Sequence, residues 1–430
     1  MVLTCLLKEL GVDLVAAHLD HQQRPESGEE SGQLAAWCEA QGIPIAQGRA
    51  DIPTMARDLK LGIEEAGRDA RYQFLRQVAH STGASFIATA HNRDDHLETI
   101  LFHMARGAGL SGLTGIPAQR ENIIRPLLPF SAQEIRDFAR DQELPTLFDP
   151  GNEDEQFARV RIRRRLIPEF EAIHPGFRAA LARLSETVAE EDAFLNGWAA
   201  AQLEANEITL NGNLAFLTRD VEAAFSTPGL AGLPAVLRQR ALRLLGHFFG
   251  VTLDRENILE LSDRLERAER GSLTAPGGDV VFETSASDLH VRHLTVDEPF
   301  RFPLTLPGET ISDVFGWQIT AQHGPVDGLV VAPDALAVVV NPAAISGGLF
   351  LRSAQPADRM KPFGQTEERL VMDFMAERKL TSAARRRLPI ICDMVGPIWV
   401  PGCRLAERVR VPADEGRGLH LELAPLGSGQ

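Results

Sequence analysis

A histidine and three carboxylates follow one short apolar segment of the chain. Residues 85–89 have the composition of a buried strand, and directly after them come His91, Asp94, Asp95 and Glu98. An open α/β sheet keeps its active site at the carboxyl ends of its strands. If a helix begins here, Asp94 and Asp95 stand four and three residues before Glu98, on one helix face. Such a face attracts a cation, either Mg²⁺ bound with a nucleotide phosphate or the ammonium group of a substrate amine.

The same acids also suit a structural role. Carboxylates in the first turn of a helix complement its macrodipole and cap its free N–H groups. The acidic run by itself leaves the catalytic and the structural interpretation open.

Composition indicates a soluble globular protein. The chain has 430 residues, of which 44% are hydrophobic and 24% charged, enough for two or three domains. No apolar run is long enough to cross a bilayer and no signal peptide is evident, so we expect a cytoplasmic protein. The cysteines are scattered without a Cys-x-x-Cys pair, which favours free thiols over a disulfide framework or a zinc or iron–sulfur site.

Basic residues are grouped although the formal net charge is −15. One cluster contains Arg159, Arg161, Arg163, Arg164 and Arg165. The other contains Arg378, Lys379, Arg385, Arg386 and Arg387. An isolated run of this kind is usually a solvated helix face, but grouped arginines also bind nucleic-acid phosphates.

The pattern of elements predicts an α/β fold with a doubly wound parallel sheet of Rossmann-like type, a helical middle domain and a smaller α+β C-terminal domain. In the first part, strands are predicted at 12–18, 43–46, 85–89 and 123–128, with helices at 28–41 and 63–82 and one capped at Ser131. Long helices follow at 177–205 and from 233, then hairpin strands at 279–283 and 289–292. We expect domains at 1–175, 176–325 and 326–430.

The acidic run HNRDDHLET at 91–99 resembles the His-x-x-Asp-Asp-x-x-Glu-Thr signature of tRNA(Ile)-lysidine synthetases, a family of the N-type ATP pyrophosphatase superfamily. Further segments agree with that family in order: HLDH at 18–21, GIEEAGRDARY at 62–72, RGAGLSGL at 106–113, RPLL at 125–128, DPGN at 149–152 and RVRIR at 159–163. Val160 departs from the asparagine that is usual there. The stretches 351–362, 387–391 and 398–404 resemble the C-terminal domain of the longer members, with departures at Ala357, Thr381 and Ser382.

The family also carries a Ser-Gly-Gly-x-Asp-Ser loop just before the helix that here begins at Met1. The printed sequence does not contain this loop. A glycine-rich loop at a helix N-terminus binds pyrophosphate through its backbone N–H groups. We therefore expect Met1 to be an internal methionine of a longer gene, with the first strand and the phosphate loop upstream.

The resemblance implies a two-step modification of tRNA. ATP adenylates the C2 oxygen of the wobble cytidine of tRNA(Ile) with a CAU anticodon, and the side-chain amine of free L-lysine then displaces AMP. It implies ATP and Mg²⁺ as cofactors, with tRNA and lysine as partners and a homodimer left open. Two alternatives remain. One is another tRNA-modifying pyrophosphatase of the thiolating type, which would normally need paired cysteines. The other is a catalytically inactive tRNA-binding remnant, should the phosphate loop be absent.

The resemblance also assigns roles to residues. Catalytic roles go to His91, Asp94, Asp95 and Glu98. ATP contacts go to His18, Thr89, Ala90, His91 and Arg125. Asp95 and Glu98 would bind the ammonium group of lysine and accept its proton, and Asp94 would assist Mg²⁺ or cap the helix. The tRNA contacts go to Arg68, Arg71, Arg159, Arg161, Arg163, Arg164, Arg165, Arg359, Arg385 and Arg387. For Arg68 and Arg71, pairing with Glu64 and Glu65 along their own helix is an equal alternative.

Overall fold

The computed structural model describes residues 1–22, 27–146, 154–294, 297–326, 335–412 and 415–427. The chain divides into two compact units, Met1–Phe194 and Leu195–Gln430. The three-domain division expected from the sequence stays a prediction, and the DPGN motif lies outside the described residues. Within the described ranges, no helix combines the length and apolar character needed to cross a membrane.

The first unit alternates short strands with helices. Its strands are β1 (Ala16–Asp20), β2 (Ile45–Arg49), β3 (Ile87–Ala88), β4 (Gln119–Arg120) and β5 (Ile123–Ile124). Its helices are α1 (Val2–Glu9), α2 (Ser27–Ala40), α3 (Ile52–Leu59), α4 (Ile63–Thr82), α5 (Arg93–Ala105), α6 (Leu110–Leu113), α7 (Ala132–Asp141), α8 (Ala158–Arg161), α9 (Ile167–Ile173) and the first part of α10 (Phe177–Ala205).

Parallel strand pairing confirms the predicted α/β class. β1 pairs with β2 in parallel, from Ala16 opposite Ile45 to Asp20 opposite Arg49. β3 pairs with β5 in parallel, while β4 runs antiparallel to β5. His18 lies within β1 near its carboxyl end, and His91 follows the carboxyl end of β3. β1, β3 and β5 are shorter than predicted, whereas β2 is one residue longer and lies further along the chain; β1 begins only where its backbone finds a partner, Pro44.

A reciprocal cap fixes the start of α5. The Asn92 side chain accepts a hydrogen bond from the Asp95 N–H, and Asp95 Oδ2 accepts one from the Asn92 N–H at 3.0 Å. The apolar face of the helix contributes Leu97, Ile100 and Leu101 to a buried cluster with residues from α9 and α10. The cap and this core together fix the direction in which the acids of α5 point.

One turn of π-helix, Ile162–Leu166, lies between α8 and α9. Its wider hydrogen bond runs from the N–H of Ile167 to the carbonyl of Ile162, and both of these residues are buried in the core beside α5. π-Helical turns are rare in proteins, and those that do occur are often found at functional sites. The turn carries Arg163, Arg164 and Arg165, three of the arginines predicted to bind tRNA.

The second unit begins with a five-stranded antiparallel sheet in the order β6-β7-β10-β9-β8. Its strands are β6 (Glu207–Ile208), β7 (Glu222–Ser226), β8 (Gly271–Thr274), β9 (Val280–Thr284) and β10 (Asp288–His293). The helices in this part are α11 (Thr227–Ala231), α12 (Ala235–Phe248) and α13 (Arg255–Glu266). The predicted hairpins are β9 and β10, so this stretch is richer in strand than its helical description suggested.

The remainder of the second unit is mainly antiparallel sheet around a core that contains Trp317 and Trp399. Its strands are β11 (Arg301–Pro303), β12 (Gly308–Ser312), β13 (Trp317–Pro325), β14 (Ala337–Val340), β15 (Phe350–Arg352), β16 (Arg359–Met360), β17 (Arg369–Leu370), β18 (Ile390–Cys392), β19 (Pro397–Val400), β20 (Arg404–Leu405) and β21 (Arg417–Pro425). Two short helices, α14 (Val371–Glu377) and α15 (Ser382–Arg387), complete it.

Candidate functional site

A polar cleft of about 1020 Å³ opens at the carboxyl ends of β1 and β3. We call it the nucleotide cleft. It is lined by most of the residues predicted to bind ATP, namely His18, Thr89, Ala90 and His91. Asp95 of α5 and Arg71 of α4 also line it. The fold therefore brings segments distant in sequence to one cleft, where open α/β sheets bind their ligands.

His91 is a neutral hydrogen-bonding group in this cleft. Its Nδ1 lies 3.0 Å from the Thr89 hydroxyl. Burial, with a smaller contribution from the nearby Arg125, Arg68 and Arg71, lowers its pKa to about 4 against the opposing effect of Asp95. At neutral pH the imidazole can thus donate or accept a hydrogen bond, but it adds no positive charge for a phosphate.

His18 and His21 also line the nucleotide cleft. Burial lowers the pKa of both, so they too favour the neutral form. Among the described residues, no group of three His, Cys, Asp or Glu side chains could hold a metal ion. This part of the cleft wall suits a polar, uncharged ligand group such as a purine edge.

A second cleft, of about 810 Å³, adjoins the first. We call it the arginine cleft. Its wall has six residues in common with the nucleotide cleft: His21, Arg71, Tyr72, His91, Phe157 and Arg159. Its other charged lining residues are Arg68, Arg106, Arg163, Glu64 and Glu65. The arginines outnumber the acids, as a surface that holds a polyanion requires.

Glu98 and Asp95 form an acid pair beside the arginine cleft. The Glu98 side chain is only 1% exposed, and both its oxygens accept hydrogen bonds from Arg163, at 2.6 Å from Nε and 3.0 Å from Nη2. Asp95 Oδ1 lies 3.7 Å from the same Nη2. Burial raises the pKa of Glu98, while Arg163 opposes that rise. The pair predicted to bind an ammonium group therefore binds a cation of the chain itself.

Asp94 does not share the cation-binding face predicted for the three acids. Its side chain ion-pairs with Arg178, and its Oδ2 accepts a hydrogen bond from the N–H of Ala132, at the start of α7, at 2.7 Å. With Arg178 it lines a separate cavity, one not lined by Asp95. Both Asp94 oxygens bind protein donors, so the expectation of a Mg²⁺ ligand does not fit. Asp94 does cap a helix, but that helix is α7 and not its own helix α5, which is capped by Asn92 and Asp95.

Arg125 lines that separate cavity rather than the nucleotide cleft. Its side chain is buried, and its Nη1 donates to the Pro117 carbonyl at 2.7 Å. Its Nε has no hydrogen-bond partner among the described residues. Arg125 is therefore not placed to contact ATP in the nucleotide cleft, as was predicted. It affects the cleft only through its charge, which helps to lower the pKa of His91.

The remaining predicted tRNA-binding arginines differ in exposure. Arg161, Arg164, Arg165 and Arg359 are exposed, and Arg385 is half-buried. Arg387 is 4% exposed and binds Asp220, Asp297 and the Leu217 carbonyl. A guanidinium satisfied in this way inside the second unit cannot meet an RNA backbone, so the prediction for Arg387 is wrong.

Arg106, Phe157 and Arg178 are among the lining residues that the sequence did not lead us to assign to a site. Arg106 stands at the end of α5 inside a segment already recognised as a motif, so the signal for it existed. Phe157 lines both clefts, but nothing in its neighbourhood marks an isolated phenylalanine as part of a site. Arg178 becomes visible only once its pairing with Asp94, 84 residues away, is known.

Comparison with known proteins gives concordant matches at both ends of the chain. Residues 1–170 match the family described as the PP-loop domain, and residues 349–422 match the TilS substrate C-terminal domain. The tRNA(Ile)-lysidine synthase of Geobacillus kaustophilus is 30% identical over 422 residues, which cover 94% of this chain and 87% of the relative. That of Geobacter sulfurreducens is 29% identical over 423 residues, 95% of this chain and 86% of the relative.

A shorter match has higher identity. The tRNA(Ile)-lysidine synthase of Thermosipho africanus is 40% identical over 182 residues, which are 42% of this chain and 43% of that protein. Relatives aligned along nearly the whole chain agree with the two family matches and with the cleft at the strand ends. The chain belongs to the tRNA(Ile)-lysidine synthase family.

Proposed function

We propose that this protein joins free L-lysine to C2 of the wobble cytidine of tRNA(Ile) with a CAU anticodon. In the first step the C2 oxygen attacks the α-phosphorus of ATP, and diphosphate leaves. In the second, the side-chain amine of lysine attacks C2, and AMP leaves with that oxygen. Membership of the tRNA(Ile)-lysidine synthase family supports an ATP-using ligase, and the following assignments rest on the geometry of the first unit.

The nucleotide cleft would bind ATP. His18 and His21 would line the base, and Thr89, Ala90 and His91 would face the α-phosphate at the end of β3. Mg²⁺ would neutralise phosphate charge, but the described residues offer no set of protein ligands for it. The ion would therefore arrive with the triphosphate, whose oxygens are ligands that Mg²⁺ prefers. Neutral His91 would donate a hydrogen bond to the phosphate or the C2 oxygen.

The acid pair would bind the ammonium group of lysine. Carboxylates that grip an ammonium group also provide the base that removes its proton before attack. Asp95 suits that second role, because it also lines the nucleotide cleft whereas Glu98 is buried. The proton would leave the amine for Asp95 as the nitrogen approaches C2.

The arginine cleft would hold tRNA beside the nucleotide. Arg68, Arg71 and Arg159 line it, and the exposed arginines of the π-helical turn extend the basic surface. Each phosphate neutralised by arginine releases counterions, so affinity falls with salt. We expect removal of Arg164 and Arg165 to weaken tRNA binding and to flatten its salt dependence.

The meeting of the two clefts at His91 is the observation that carries this proposal. Its test is incubation of the protein isolated from its own cells with ATP, isotopically labelled lysine and a tRNA(Ile) transcript with C34. We expect labelled lysidine after nuclease digestion, with one AMP formed for each lysine incorporated. A transcript with U34 is the matched control. Labelling of both transcripts, or none with C34, would contradict the proposal.

The two alternatives are less favoured. Thiolating enzymes need reactive cysteines, but Cys5, Cys38, Cys392 and Cys403 line neither cleft. A tRNA-binding remnant would have no use for an acid pair kept beside a nucleotide cleft. We also propose a cytoplasmic location, where the tRNA substrate is found, and a homodimer, which light scattering of the purified protein would test.

A further inference from the structure

The cation already bound by the acid pair carries an inference that rests on the proposed function and extends it. Arg163 binds Glu98 through two hydrogen bonds and approaches Asp95 at 3.7 Å. The two oxygens of Glu98 are thereby occupied by the planar guanidinium group. Because Glu98 is buried and Arg163 covers both its oxygens, an ammonium group can reach them only if the guanidinium moves away.

Glu98 is stable as a carboxylate only beside a cation. The carboxylate is 1% exposed, and a buried charge without a partner is strongly unfavourable. Lysine can therefore enter only by taking over the contact that Arg163 makes. An exchange of one cation for another keeps the buried charge neutralised throughout.

The arginine cleft can accommodate the Arg163 side chain when it is released from Glu98. Its side chain is 42% exposed and lines the arginine cleft together with Arg68, Arg106 and Arg159. The exposure allows the guanidinium to turn away from Glu98 by rotation of its own side chain. In the cleft it would add one positive charge to the surface proposed to bind tRNA.

We propose that Arg163 is an exchangeable counter-ion: lysine displaces its guanidinium from Glu98 and Asp95, and the released guanidinium then binds a tRNA phosphate. Lysine and tRNA therefore strengthen each other's binding. Such coupling is reciprocal by thermodynamic necessity, and factors of about 5 or more are typical of coupled sites. Arg163 thus adds its positive charge to the arginine cleft only when lysine is bound.

The test is the affinity of the protein for a tRNA(Ile) transcript, measured without ATP, with and without saturating lysine. We expect lysine to lower the dissociation constant of the wild-type protein about fivefold. In Arg163→Met, lysine should change it less than about twofold. Arg165→Met is the matched control: it removes a 70% exposed guanidinium from the same π-helical turn, so it should weaken tRNA binding but keep the lysine effect.

A second measurement applies even if Arg163→Met is less stable than the wild type: the melting temperature of each variant with and without lysine. Lysine would replace the missing guanidinium there, so it should raise the melting temperature of Arg163→Met more than that of the wild type or of Arg165→Met. An equal increase in all three, or a lysine effect on tRNA affinity that survives in Arg163→Met, would overturn the proposal. Lysidine formation without wild-type coupling would refute this inference alone, whereas absence of lysidine would refute the proposed function.

Discussion

Replacement of Glu98 by glutamine tests whether the acid pair binds lysine. The substitution keeps the shape of the side chain but removes its charge. A hydrogen bond to a charged group contributes about 1.5–3 kcal/mol, which corresponds to a 10- to 150-fold change in affinity. Because lysine must displace Arg163 from the same oxygens, part of this loss is offset by a weaker competing contact. We therefore expect a KM for lysine about 10-fold higher.

The assay is lysidine formation at varied lysine concentration, together with the dissociation constant for tRNA measured without lysine. Glu98→Gln should not raise that dissociation constant, since Glu98 is buried and lines neither cleft, and by loosening Arg163 it should lower it. Asp94→Asn is the matched control on the same helix, because its carboxylate binds Arg178 and the start of α7. An unchanged KM for lysine in Glu98→Gln, or an equal loss of lysine and tRNA affinity, would refute the reasoning.

Three further predictions concern stability. Asp94→Ala removes the hydrogen bond to the Ala132 N–H and should cost about 1 kcal/mol of unfolding free energy with no change in the KM for lysine, as urea titration and kinetics would show. The folded protein resists protonation of His91, whose pKa falls from 6.5 to about 4, so this contribution is intact above pH 6.5 and is lost as the pH falls towards 4. At pH 5 we expect a loss of about 2 kcal/mol relative to pH 7, and a smaller loss in His91→Gln. Arg387→Met strands Asp220 and Asp297 and should destabilise the second unit by about 2 kcal/mol, while the folded variant binds tRNA normally, as calorimetry and filter binding would show.

Local sequence signals predicted the helices and their caps better than they predicted the ion-pair partners of the site residues. Helices were expected over 63–82 and 177–205, and the structure has Ile63–Thr82 and Phe177–Ala205. The capping box at Ser131 is also present as predicted. These features depend on neighbours within a few residues, which periodicity and capping rules capture.

The errors in the site all concern contacts between distant residues. Asp94 is turned away from Asp95 by Arg178, and Arg163 reaches Glu98 across 65 residues of sequence. The burial of Arg387 depends on Asp220 and Asp297, 167 and 90 residues away. The spacing of residues along a helix shows which side chains share a face. The ion-pair partner of each side chain, however, depends on the tertiary fold.

The π-helical turn makes this region sensitive to chain length. Its i+5 hydrogen bond accommodates one residue more than an α-helical turn would hold, between Ile162 and Ile167, which are both anchored in the core. Deletion of one residue from this turn would restore the α-helical spacing between these two anchors and change the direction in which the arginines between them point. The contact between Arg163 and the acid pair would then be disturbed, although the core on both sides of the turn is kept. We therefore expect this segment to tolerate substitutions at its exposed positions better than insertions or deletions.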